Sequence, residues 1–205
     1  MSSIAQAGSR AASLPPALAM RRFNVDEYHR MIAAGVLKEG EPIELLDGWL
    51  VLKMTRNPPH DLSLSLTVKA INRLLPDDWF SRIQSAITIP EYDEPEPDIG
   101  VVRGPERRYA SHHPGPLDTA MIVEVSDSSL QEGREDKAPI YAAAAIPVYW
   151  IVNIPDRQVE LYSHPSGSVP DPGYRQSHVF RSGDLVPLFI EGREVGTIAV
   201  NALLP

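Results

Sequence analysis

The feature that most constrains this chain is the nearly unbroken apolar run Pro147-Val148-Tyr149-Trp150-Ile151-Val152-Asn153. Such a run reads as a strand covered on both faces, and therefore central in its sheet. Two further runs of strand character, Ile99-Gly100-Val101-Val102 and Met121-Ile122-Val123-Glu124-Val125-Ser126, carry an acid each, Asp98 just ahead of the first and Glu124 inside the second. Strands mixed with three helical stretches predict an α/β or α+β fold around a mixed sheet. Twenty prolines in 205 residues punctuate the chain, so its elements are expected to be short.

An acid inside an apolar strand is costly when buried alone, so Glu124 requires a cation or hydrogen-bond partners. Alternation puts Glu124 and Ser126 on one strand face and Val123 and Val125 on the other. If the two acid-bearing strands are neighbours, Asp98 and Glu124 meet at one sheet edge. Two carboxylates, a backbone carbonyl there (that of Val125) and waters make an oxygen set for magnesium, with manganese able to substitute. Phosphodiester hydrolysis also needs a cationic group beside the attacked phosphate. Lys137, on the element after the Glu124 strand, has the reach for it. Glu44 is placed to add a third, water-mediated ligand.

Asn24 with Glu27 three residues on forms a capping box that predicts a helix ending at Gly35. Asp47-Gly48 between the runs 43–46 and 49–52 predicts a tight hairpin with Glu44 on its first strand. A longer helix is expected over 59–75, then one strand over 79–89 closed by Pro90. The acidic segment 91–96 reads as a solvated loop, and 104–118 as a turn-rich one. A helix from the serines at 126–129 to Ile146 is complicated by Pro139, which either kinks it or marks where it starts. The segments 159–162 and 174–180 read as an antiparallel pair, and the tail from Leu185 as a little further apolar structure.

The formal charge of −8 opposes a broad electropositive surface for nucleic acid, so any such contact is local or metal-assisted. The absence of cysteine excludes disulfides, zinc–thiolate sites and thiol nucleophiles and fits a reducing compartment. No apolar run approaches membrane-spanning length. Residues 1–20, rich in Ala, Ser and Pro, read as a disordered extension, 21–205 as one domain, and the location as cytoplasmic.

In order, Glu44-Leu45-Leu46-Asp47-Gly48, His60, Glu96-Pro97-Asp98, Val123-Glu124-Val125-Ser126, Asp136-Lys137 with Tyr141, and the run 146–152 resemble the Uma-two family of restriction endonucleases over about residues 20–204. The resemblance implies an α/β fold with a restriction-endonuclease-like PD-(D/E)xK core: a mixed β-sheet flanked by helices, with added antiparallel hairpins. It implies a magnesium-dependent endonuclease acting on DNA, with Asp98, Glu124 and a lysine as its centre, Glu44 as accessory acid and no small-molecule cofactor. The superfamily pattern places the lysine two residues after the acid, where this chain has Ser126, so Lys137 is a relocated lysine.

Blander readings stand beside these. Lys137 can be a solvated helix residue, His60 a helix N-terminal residue without chemistry rather than a substrate contact, and Tyr141 a packing residue one turn after Lys137. Arg107, Arg108, His112 and His113 read as an ordinary exposed loop, and Trp49, Tyr149 and Trp150 as core. A non-catalytic nucleic-acid- or partner-binding descendant of the fold is the alternative function, and RNA the alternative substrate. A homodimer is plausible because one site cuts one strand.

Overall fold

The computed structural model describes residues 20–38, 40–53 and 56–205; the expected extension over 1–20 lies, but for Met20, outside them. Six strands form one sheet in the order β3-β4-β5-β6-β7-β8: Trp79–Ile83, Ile99–Arg103, Thr119–Ser126, Val148–Asn153, Gln158–Pro165 and Tyr174–Arg181. β5 and β6 are parallel and every other neighbouring pair is antiparallel. The fold is thus a mixed α/β one.

Every residue of β6 is buried, because both faces of the sheet are covered. On one face Trp150 and Val152 pack with Val123, Val125, helix α2 (Pro58–Asn72) and the C-terminal hairpin β9–β10 (Leu185–Ile190, Arg193–Ala199). On the other, Tyr149 and Ile151 pack with Ile122 and helix α3 (Ala138–Ala143). Helix α1 (Val25–Ala33), capped by the expected Asn24–Glu27 box, and the hairpin β1–β2 (Ile43–Leu46, Trp49–Leu52) share a small third cluster. Asp47 and Gly48 take positive φ in the hairpin turn, as the Asp-Gly pair predicts.

Two expectations fail, each for a local reason. The strand over 79–89 ends at Ile83: Gln84 adopts φ +48, its N–H reaches the Asp98 carbonyl, and Ile87 and Ile89 bond instead to Pro95 and Asp93. The chain therefore turns across the sheet end. The acidic loop is not solvated throughout, since Glu94 is 3% exposed and accepts bonds from His29 and Thr88, while Glu96 pairs with Lys53 at 2.6 Å. Of the two alternatives for the helix over 126–146, a start close to Pro139 is the one found: a π-helix, Glu132–Lys137, runs into α3, which begins at Ala138. Pro139 is the second residue of α3, directly after the wide turn of the π-helix.

Trp150 and Tyr149 are core, as expected, and Trp49 is half-buried. Arg107, Arg108, His112 and His113 are exposed, Arg108 pairing with Asp118 at 2.7 Å. Among the described residues no helix is long and apolar enough to cross a membrane.

Candidate functional site

Register places Ile99 opposite Val123, so Asp98 stands opposite Glu124 at the end of the β4–β5 pair. The meeting point is a strand end within the body of the sheet, not a lateral edge, because β3 flanks β4 and β6 flanks β5. Asp98 Oδ2 accepts from the Val125 N–H at 2.9 Å and contacts His60 Nε2 at 3.1 Å, and Oδ1 accepts from Gln84 Nε2 at 3.2 Å. Burial would push this carboxyl up, but the His60, Val125 and Gln84 contacts outweigh it and hold Asp98 below its ordinary value.

Glu124 Oε1 accepts from Tyr141 Oη at 3.0 Å and from Lys137 Nζ at 3.3 Å, while Oε2 lies 3.4 Å from the Asp98 N–H. Burial pushes the Glu124 carboxyl up to about 7 in spite of Lys137, with Asp98 and Glu44 adding to the rise. Glu44, fully buried on β1, puts Oε1 3.0 Å from Lys137 Nζ and accepts the Glu96 N–H on Oε2 at 2.9 Å. Beyond this ion pair, Glu44 Oε1 has no other hydrogen-bond partner among the described residues.

Lys137 is 5% exposed, and Glu132 makes a third acid around it at 3.7 Å. Burial works against its charge, but Glu124, Glu44 and Glu132 overcome that and raise its pKa, so it stays an ammonium. The reading of Lys137 as a solvated helix residue is therefore wrong. His60 sits in the first turn of α2, as the reading of it as a helix N-terminal residue has it, with Asn57 capping its N–H at 3.1 Å, and its ring contacts Asp98. The Asp98 hydrogen bond raises the His60 pKa against the effect of burial.

These groups open into a cleft of about 70 Å³, lined also by Lys53, Arg56, Asn57, Glu96, Val125 and Asp127. That is room for a few waters or a hydrated ion. Six carboxylates face three permanent cations across it. Ser126 is 3% exposed, does not line the cleft, and its hydroxyl has no partner among the described residues. An oxygen-rich, net-negative cleft with two carboxylates on adjacent strands fits a hard divalent cation. Among the described residues, however, no three His, Asp or Glu side chains converge closely enough to enclose one unaided.

Residues 25–200 match the model of the family Uma2, described as "Putative restriction endonuclease". The chain belongs to this family. The Uma2 chain is also similar to a solved structure titled as a putative nuclease belonging to DUF820 from Anabaena variabilis. The TM-score is 0.64 at 16% identity, over 88% of this chain and 97% of that one. A likeness at that identity carries the fold, which is nuclease-like. A search of curated proteins finds no match.

Sequence reasoning passed over Gln84, Lys53, Arg56, Asn57 and Asp127. Asn57 ahead of two prolines was a legible helix cap. Gln84 was not: it reaches Asp98 only because the strand breaks at that residue.

Proposed function

We propose that residues 21–205 form one cytoplasmic domain that hydrolyses DNA phosphodiester bonds with magnesium, or manganese in its place. The observation that carries this reading is the convergence of Glu44 (β1), Asp98 (before β4), Glu124 (β5) and Lys137 (π-helix) on one net-negative cleft. A polyanion does not enter such a cleft unless a cation balances it. Asp98, Glu124 and the Val125 carbonyl would hold that cation, with Glu44 beyond them. When bound, it supplies positive charge and Lewis acidity toward a phosphoryl oxygen.

The chain's own groups do the rest. His60, the Val125 N–H and Gln84 hold Asp98 ionised and oriented. Tyr141 fixes Glu124 Oε1. Lys137, charged throughout the neutral range, cannot serve as a base; it donates toward the attacked phosphate as charge builds there or orients the attacking water. Lys53 and Arg56 at the mouth are local contacts for phosphate in an otherwise acidic protein. A homodimer would offer one cleft to each strand.

The test incubates purified protein with single- and double-stranded DNA, and with RNA, in magnesium or manganese. Cleavage of DNA lost in Asp98→Ala and Glu124→Ala is the expected result. No cleavage by wild type, or equal cleavage by Asp98→Ala, refutes the reading. Cleavage confined to RNA refutes the choice of substrate. A second reading, a non-catalytic binding descendant, draws on the absence of a ready three-ligand cage and on Ser126. It requires that millimolar magnesium leave the melting temperature unchanged; a rise that Glu124→Ala abolishes excludes it.

A further inference from the structure

The relocated lysine raises the question of what holds it. Strand register aligns Glu124 of β5 with Ile151 of β6, and Ile151 with Glu160 of β7, so the three form one row across the sheet. The π-helix lies on that row. Lys137 contacts Glu124 at 3.3 Å. Gly133 sits over Ile151 so closely that a Cβ would come within 3.4 Å of Ile151 Cδ1 and 3.2 Å of Tyr149 Oη. Arg134 reaches Glu160 with both Nε, at 2.8 Å, and Nη2.

Glu160 is a buried, many-bonded anchor. It is 2% exposed and also accepts from Asn153 at 3.0 Å, Gln158 at 3.1 Å and Tyr162 at 2.8 Å. The Gly133 carbonyl accepts both the Ala138 N–H, the wide-turn bond, and the Tyr149 hydroxyl at 3.0 Å. A π-turn is rare, occurs mostly as a single turn inside an α-helix, and is frequent at functional sites. From Glu160 to Glu124 the row spans two strand spacings, about 10 Å, and the side chains of Arg134 and Lys137 reach its two ends.

We propose that Arg134 is the positioning residue for Lys137: clamped on Glu160, it holds the π-turn in the register that delivers the ammonium to Glu124. The role of Lys137 in hydrolysis rests on the nuclease reading; the clamp itself does not. A planar guanidinium making two bonds fixes orientation as well as distance, which a lysine at 134 would not do.

The test is acetylation of the native protein, with mass spectrometry comparing Lys137 with Lys69, which is exposed on α2. Wild type, Arg134→Lys, Arg134→Gln and Glu160→Gln are compared at a temperature where circular dichroism reports each as folded. The Arg134 side chain is 41% exposed, so that site tolerates substitution even if Glu160→Gln does not fold. In wild type Lys137 is protected. In Arg134→Gln its labelling rises severalfold while Lys69 is unchanged, with Arg134→Lys between the two. In the cleavage assay kcat of Arg134→Gln falls ~10²-fold with KM kept, the scale of an ångström's misplacement.

Rapid labelling of Lys137 in wild type, or equal protection in Arg134→Gln, overturns the clamp. Changed labelling in a protein that cuts no nucleic acid upholds the clamp and overturns only the nuclease reading. Cleavage by wild type with kcat unaltered in Arg134→Gln overturns the positioning role.

Discussion

Replacing Lys137 by Met keeps the volume of the side chain and removes one charge from the middle of three acids, at 3.0, 3.3 and 3.7 Å from Nζ. Breaking a buried pair by deleting one partner costs about 3–5 kcal/mol. The cost has a ceiling, because a stranded carboxylate escapes by binding a proton at about 1.4 kcal/mol per pH unit above its ordinary pKa. For a glutamate that ceiling is about 5 kcal/mol at pH 8 and about 1 at pH 5. Glu132 is partly exposed and adds little. Lys137→Met is therefore expected to lose about 4 kcal/mol at pH 8 and no more than about 2 at pH 5. Urea titrations of both proteins in chelator at the two pH values measure this, with equal m-values as the control. A loss independent of pH, or below about 1 kcal/mol at pH 8, would falsify the account of the acid cluster.

Glu160 is held down to about 2: burial opposes this, but Arg134 first, then Asn153, Tyr162 and Gln158, outweigh it. A depressed carboxyl contributes stability that is present above its ordinary value near 4.5 and is lost as pH falls toward 2. Glu160→Gln should thus cost up to about 3 kcal/mol at pH 7 and flatten the acid limb of unfolding between those values; an unchanged acid limb rules this out. In Asp98→Asn the imidazole of His60 loses the charge that most raises it, keeping the smaller upward effect of Asp61 and the burial that lowers it. Its NMR titration in chelator should move to lower pH, and a midpoint that stays put would show that Asp98 is not the cause. Gly48 has φ +76, and a Cβ there would lie 2.6 Å from Arg22 Cβ. Gly48→Ala should cost about 1–3 kcal/mol, read as a lower melting temperature, and an unchanged melt would contradict the turn geometry.

Much of the site was legible because two of its acids interrupt apolar strands. Glu44 and Glu124 are flanked by Leu, Ile and Val, and an acid so placed must find a partner whatever the topology. The Asp-Gly turn likewise determined the β1–β2 hairpin locally, and the Asn24–Glu27 box the start of α1. The break at Gln84 was hidden, since alternation of Ile83, Ile87 and Ile89 suits a strand equally well. So was Glu94, whose burial depends on His29 and Thr88 arriving from elsewhere.

The opening run 147–153 required a strand with cover on both faces, and composition excluded thiol chemistry and a broadly basic surface; these are properties of residues and their neighbours in the chain. The partner of each charge was a matter for the fold. His60 comes to Asp98 across 38 residues, Glu44 to Lys137 across 93, and Arg134 to Glu160 across 26. Side-chain periodicity extends over one element, whereas these contacts depend on the order and register of strands. The register that sets Glu124, Ile151 and Glu160 in one row gives the π-turn its seat, and with it the position of Lys137.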